Sequence, residues 1–224
     1  DLYRFADTVA EQATVKVNGT PAPMALERGY VVLSREWKSG DTIELDLPMP
    51  IRRVLAHDKV AADRGRVALQ RGPLVYTAEW PDNPNAQVRN LLLPREAKLS
   101  AEQRPTLLNG VTVLTGQAQS LAYDAAGRVT KTAQPFTAIP YYAWANRGKG
   151  QMLVWLPEVE SVAKPLPFPT VATTAKITSS GKKDVEPLRD GETELFFDWW
   201  PNKGKTEWIE YTFAKPERLS ETQV

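Results

Sequence analysis

The sequence contains no cysteine and a single histidine, His57. Without cysteine there is no disulfide framework, no thiolate metal site and no thiol nucleophile, and the redox state of the compartment is left open. One imidazole excludes a multi-histidine metal centre as well. A Ser-His-Asp triad would have to run through His57, and general-base work would otherwise fall to carboxylates. An excess of charge of either sign is also missing, since 28 Lys and Arg against 27 Asp and Glu leave +1 at pH 7. No electrostatic argument therefore favours a nucleic acid, an anionic membrane surface or an acidic substrate, and neither nucleic acid nor membrane is expected as a partner. The charge-free stretch from Ala133 to Asn146 is shorter than the ~20 residues of a membrane helix and carries Pro135 and Pro140, so the chain reads as soluble. Asp1 to Phe5 shows no initiator Met, basic n-region or apolar h-region, which suggests an excised or processed piece.

Helical patterning is scarce too. No window of a dozen residues keeps apolar positions at i, i+3, i+4 and i+7 without a proline, and 18 prolines in 224 residues exceed the ~5% average. What is present is period-two alternation in a chain that is 42% apolar, too rich for disorder. Thr14–Val17 alternates before Asn18-Gly19, and Ile43–Leu47 alternates after Lys38-Ser39-Gly40-Asp41. Val67–Leu69 and Leu74–Thr77 flank Arg71-Gly72-Pro73. Strands are further expected at 111–115, 117–123 and 129–132, and at 141–145 and 151–156 around the two-glycine loop Asn146-Arg147-Gly148-Lys149-Gly150. The fold class is therefore all-β: two antiparallel β-sandwich or jelly-roll units, with a partial β module behind them.

Composition shifts place the boundaries. Trp80-Pro81-Asp82-Asn83-Pro84-Asn85 interrupts the pattern, and a proline-dense stretch after Pro157 interrupts it again. The expected division is a first sandwich over 1–79, a second over 80–160, a semi-rigid proline-rich linker over 161–169 and a small module over 170–224.

Few residues suggest chemistry. Glu158 and Glu160, two apart on a strand, have a spacing near the lower bound of the ~5–9.5 Å between glycosidase carboxyls, but a solvated strand end accounts for them better. His57 reads as a surface or interface residue. Asn18-Gly19-Thr20 is a formal glycosylation sequon and equally a turn. Arg71 and Arg147, each beside glycine at a strand end, are expected to be structural, held by buried carboxylates or carbonyls that anchor one layer against another.

Five ordered blocks carry a family likeness. Val17-Asn18-Gly19, Gly29-Tyr30-Val31 leading to Arg35–Asp41, Leu47-Pro48-Met49 with Arg52, Arg71–Tyr76, and Ile139–Gly148 with Met152 and Val154-Trp155 resemble the β-region of glycoside hydrolase family 127, the β-L-arabinofuranosidase-like proteins. The resemblance implies an upstream (α/α)₆ barrel in which a cysteine cluster with a glutamate holds zinc, a cysteine is the nucleophile and a further glutamate is the acid/base. No residue here matches that motif, so no catalytic residue, metal or other cofactor is expected within this piece. Its principal partner would be its own N-terminal catalytic domain; the compartment is left open by the sequence, with the periplasm or the secreted fraction of a bacterium as candidate locations. Behind the linker, Leu188–Gly191, Phe197–Pro201 and Thr206–Phe213 resemble the first half of a discoidin-like, galactose-binding jelly roll. Two further readings follow from this stretch. Trp199, Trp200 and Trp208 could stack an oligosaccharide as a carbohydrate-binding module, though Trp199 and Trp200 point to opposite faces of a strand and core burial competes. Asp190 is a calcium candidate whose alternative is a plain Asp-Gly turn. A purely structural or interaction domain is the remaining alternative.

Overall fold

A computed structural model describes residues 1–9, 12–180, 185, 188 and 206–219. Asp190, Trp199 and Trp200 lie outside the described residues, as does most of the stretch carrying the discoidin likeness. The fold is all-β and antiparallel, with one-turn 3₁₀ segments and a single α-turn at Val171–Thr174 as its helical content among the described residues. The chain divides into two units, one of residues 1–119 with 133–163 and the other of 120–132 with 164–224.

The first unit is built on a 10-stranded sheet. Its path runs from Tyr3–Phe5 through Ile51–Ala56, Arg66–Arg71, Leu74–Glu79, Val129–Pro140 and Val111–Tyr123 to Leu91–Leu92. Leu99–Arg104 pairs with Val111–Tyr123 off this path, Met152–Leu153 pairs with Leu74–Glu79, and Leu156–Pro157 pairs with Arg66–Arg71. Alternation sends Val67, Leu69, Tyr76, Ala78, Leu114 and Phe136 into one apolar core. That burial, worth about 25 cal/mol per Å² of apolar surface, is the main force holding the sheet together. The Tyr76 hydroxyl enters the core because it can donate to the Thr112 carbonyl at 3.0 Å. Burial raises the phenol above its usual pKa, with the Arg71 guanidinium opposing.

Apart from the main sheet, Thr20–Ala22, Thr14–Val17 and Ile43–Asp46 form a three-stranded sheet. Asn18 and Gly19 turn between the first two strands with φ of 54° and 74°, the left-handed pair that an Asn-Gly hairpin requires. Asn18 also holds the third strand, since Nδ2 donates to Oδ1 of Asp41 at 2.7 Å and Oδ1 accepts the Thr42 N–H at 2.8 Å. The Asn18-Gly19-Thr20 sequon is thus a turn whose asparagine side chain is already engaged.

Three expectations need correction. The expected break between 115 and 117 does not occur: Val111–Tyr123 is one strand, with Gly116 opposite Leu99. A Cβ at Gly116 would stand 2.7 Å from the Lys98 carbonyl oxygen, so glycine here serves close backbone approach. The expected strand at 141–145 is a 3₁₀ turn, Tyr141–Ala143, because the strand before it extends from Val129 to Pro140 and the chain then leaves the sheet. Glu158 is also not solvated. Its side chain is 5% exposed and pairs with Arg53 at 2.8 Å and Arg95 at 3.5 Å, while Glu160 begins a separate 3₁₀ turn. A buried carboxylate at that point secures the Ile51–Ala56 strand, whose Arg53 also donates to the Pro94 and Ala97 carbonyls.

In the second unit, Leu166 joins Ala122 through a parallel bridge. Lys176–Ser179 pairs with Ile209–Thr212, burying Ile177.

Candidate functional site

Leu74–Glu79 ends on a carboxylate that has no place in an apolar sheet unless it is paired. Glu79 is 2% exposed, and its partner comes from a loop 68 residues further along. Arg147 places Nη1 2.7 Å from Oδ1 of Asp82, with Nη2 contacting both Oδ2 of Asp82 and Oε2 of Glu79. A planar guanidinium fits this role because its fork can meet two carboxylates at fixed angles. The two carboxylates hold the Arg147 pKa above its ordinary value, chiefly through the hydrogen bond to Asp82.

Surrounding bonds fix both sides of this nest. Asn83 donates to the Glu79 and Thr137 carbonyls at 2.9 and 3.0 Å and accepts the Thr137 N–H at 3.2 Å. Oε1 of Glu79 accepts the N–H of Ala145 at 2.9 Å. Ala145 has φ of 63° and Gly148 φ of 100°, so the loop carries one left-handed residue that is not glycine. At Gly150 a Cβ would lie 2.0 Å from the Trp80 ring, and only glycine lets the loop pass over that indole.

The result is a loop held rigidly from within that presents aromatic rings. Tyr141, Tyr142 and Trp144 are exposed. The Tyr141 and Trp144 rings meet at a centroid distance of 5.9 Å, tilted by 31°. Beside them lies an open cavity of ≈500 Å³, lined by Glu79, Trp144, Ala145, Lys149 and Met152.

The residues singled out from sequence are placed as follows. Arg147 stands at the centre of the nest. Arg71 lies at the end of Arg66–Arg71, half-buried, with Nη1 3.7 Å from the Met49 sulfur. Trp208 is exposed, and its backbone N–H donates to the Ser180 hydroxyl at 2.9 Å. His57 is exposed and accepts the Lys59 N–H at Nδ1. Sequence reading missed Glu79, Asp82 and Trp144. Glu79 and Asp82 flank Trp80-Pro81, a stretch that reads as a domain boundary when taken alone, and nothing local marks them as partners of Arg147.

Comparison with known proteins gives these features a context. Residues 4–49 match the family model for the β-L-arabinofuranosidase GH127 middle domain, and residues 51–157 match that for the glycoside hydrolase family 127 C-terminal domain. A non-reducing end β-L-arabinofuranosidase of Bifidobacterium longum is 36% identical over 157 residues, covering 63% of this chain and 23% of the relative. The solved structure of a GH127 β-arabinofuranosidase superposes with a TM-score of 0.71 at 43% identity, covering 75% of this chain and 26% of that one. A GH127 β-L-arabinofuranosidase from Geobacillus stearothermophilus T6 gives a TM-score of 0.61 at 42% identity, covering 66% of this chain and 24% of that one. The chain thus spans about a quarter of the length of these bacterial relatives. It belongs to glycoside hydrolase family 127, of which it carries the middle and C-terminal β-domains.

Proposed function

We propose that this chain is the non-catalytic β-domain portion of a glycosidase acting on β-L-arabinofuranosides or related plant glycans, and that it supports a catalytic domain located elsewhere in the parent protein. The observation that carries this reading is the state of its carboxylates. Glu79 and Asp82, the buried acidic pair, already share Arg147, and Glu158 is committed to Arg53. A glycosidase needs one carboxyl free to donate a proton and a second facing the sugar. The zinc implied by the family finds no fit here either. The chain has no cysteine, and among the described residues no three His, Asp or Glu side chains converge as a metal site. The short share of the relatives' length agrees with a division of labour along the parent chain. Among the described residues no helix is long and apolar enough to cross a membrane.

A second reading, a carbohydrate-binding module, draws support from the exposure of Trp208. The test of the leading reading is direct. The purified 224-residue chain, with and without added zinc, is expected to release no chromophore from p-nitrophenyl β-L-arabinofuranoside. Zinc-dependent turnover by this chain would overturn it.

A further inference from the structure

We infer that the cavity beside Trp144 is a carbohydrate subsite that takes one neutral furanose or pyranose ring of a glycan. The ligand class rests on the reading above; the location rests on four features of the loop.

The first is shape. A cavity of ≈500 Å³ lies within the ~300–1,000 Å³ of ordinary small-ligand pockets, and Trp144 with Met152 gives it apolar walls. The second is the aromatic surface. A sugar ring presents a face of C–H groups that packs on an indole or phenol face, and Trp144 is 37% exposed with Tyr141 tilted against it. The third is charge. Glu79 and Asp82 are balanced by Arg147 and Lys149, so the site as a whole is neutral and suits hydroxyls better than an anionic or cationic ligand. The Lys149 ammonium and the Tyr141 hydroxyl are exposed groups able to bond those hydroxyls.

The fourth is preorganisation. Fixing Ala145 in a left-handed conformation and closing Arg147 over two carboxylates orders the loop before any partner arrives. Ordering cost is a large part of what opposes binding by a shallow site, and here it has already been met by the fold. A sugar, which offers one ring and a few hydroxyls, cannot order a loop by itself.

The experiment is calorimetric titration of the 224-residue chain with methyl β-L-arabinofuranoside and with a β-L-arabinofuranosyl disaccharide. Saturable heat with a Kd on the order of 1 mM is expected, the scale of a single stacked ring. Trp144→Ala should weaken it about tenfold or more and Tyr141→Ala less, with far-ultraviolet circular dichroism showing that each variant is folded. Trp37→Ala, which removes an exposed indole outside the cavity lining, should leave binding intact. Lys149→Gln provides a second variant that leaves the aromatic surface untouched, and should weaken binding severalfold. Absence of saturable heat at about ten times that concentration would overturn the inference, as would binding that survives Trp144→Ala. So would loss, in Trp144→Ala alone, of association with the rest of the parent protein without any sugar binding by the wild-type chain, since that would make the ring a protein contact. None of these results touches the chromogen test, so failure of the subsite and failure of the accessory role are told apart.

Discussion

The N–H of Ala145 donates to Oε1 of Glu79 across 2.9 Å, joining a loop residue in the left-handed region to the last residue of a buried strand. A left-handed alanine costs about 1–2 kcal/mol, and this bond is what holds it there. Glu79→Ala removes the acceptor and also strips one carboxylate from Arg147. Loss of about 3–5 kcal/mol is expected, by analogy with other broken buried pairs. Glu79→Gln keeps an acceptor for Ala145 and should cost distinctly less. Urea denaturation of the two variants orders them, and equal losses would show that the hydrogen bond contributes nothing.

Arg147 answers to geometry as much as to charge. Three of its contacts come from two nitrogens facing two carboxylates. Arg147→Met leaves Glu79 and Asp82 side by side and nearly buried, so about 3–5 kcal/mol of stability should disappear. Arg147→Lys restores the charge but offers a single ammonium in place of a fork, and should recover part of the loss and not all of it. A lysine variant as stable as wild type in urea would show that charge alone suffices.

Much of the architecture was legible because alternation is a local signal. Thr14–Val17, Ile43–Asp46 and Leu74–Glu79 are strands where period two places them, and the turn at Asn18-Gly19 follows from left-handed preference. Tyr141–Ala145 is expected as a strand yet leaves the sheet. What decides its course is Glu79, more than sixty residues earlier, and no window around Tyr141 contains that information. The same holds for Glu158. Its neighbours look like a strand end, whereas its burial depends on Arg53, 105 residues away. Arg147 could be suspected of a buried carboxylate partner from its glycine neighbour, but Glu79 and Asp82 could be found only once the sheet was assembled. The aromatic surface at Trp144 was hidden for a related reason. Trp144 falls within the strand expected over 141–145, and the chain's departure from the sheet after Pro140 leaves its ring exposed.

Gly150 and Gly127 separate steric fit from backbone conformation. At Gly150 an added methyl group would fall on the Trp80 ring at 2.0 Å, whereas at Gly127, with φ of 73°, nothing lies within 4 Å. Gly127→Ala should therefore cost only the left-handed backbone term, about 1–2 kcal/mol. Gly150→Ala must displace an indole packed against the loop, with a cost of about 1–3 kcal/mol from overpacking and a change in near-ultraviolet circular dichroism that Gly127→Ala lacks. The same substitution at Gly150 should impair sugar binding at Trp144, since it moves the loop that carries the ring. Unchanged dichroism in Gly150→Ala would mean that the loop yields instead of the tryptophan.

Asp41 supplies a pH dependence whose sign can be worked out. Its carboxylate accepts the Lys38 N–H at 2.9 Å and the Asn18 side-chain amide at 2.7 Å, with the Arg35 guanidinium 3.5 Å away. The Lys38 bond is the largest influence, Asn18 next, and together with Arg35 they hold the carboxyl below the usual aspartate range. A group with a depressed folded pKa binds protons more readily in the unfolded chain, so its contribution to stability is fully present above the ordinary aspartate value. It is lost as the pH falls toward and through the lowered one. Asp41→Asn removes the titration while preserving size. The wild-type advantage in urea midpoint should be constant near neutrality, shrink through the acid range and vanish once Asp41 is protonated in both states. An advantage that persisted unchanged to about pH 2 would show that the loop is held by Asn18 and the backbone alone, without the Asp41 charge.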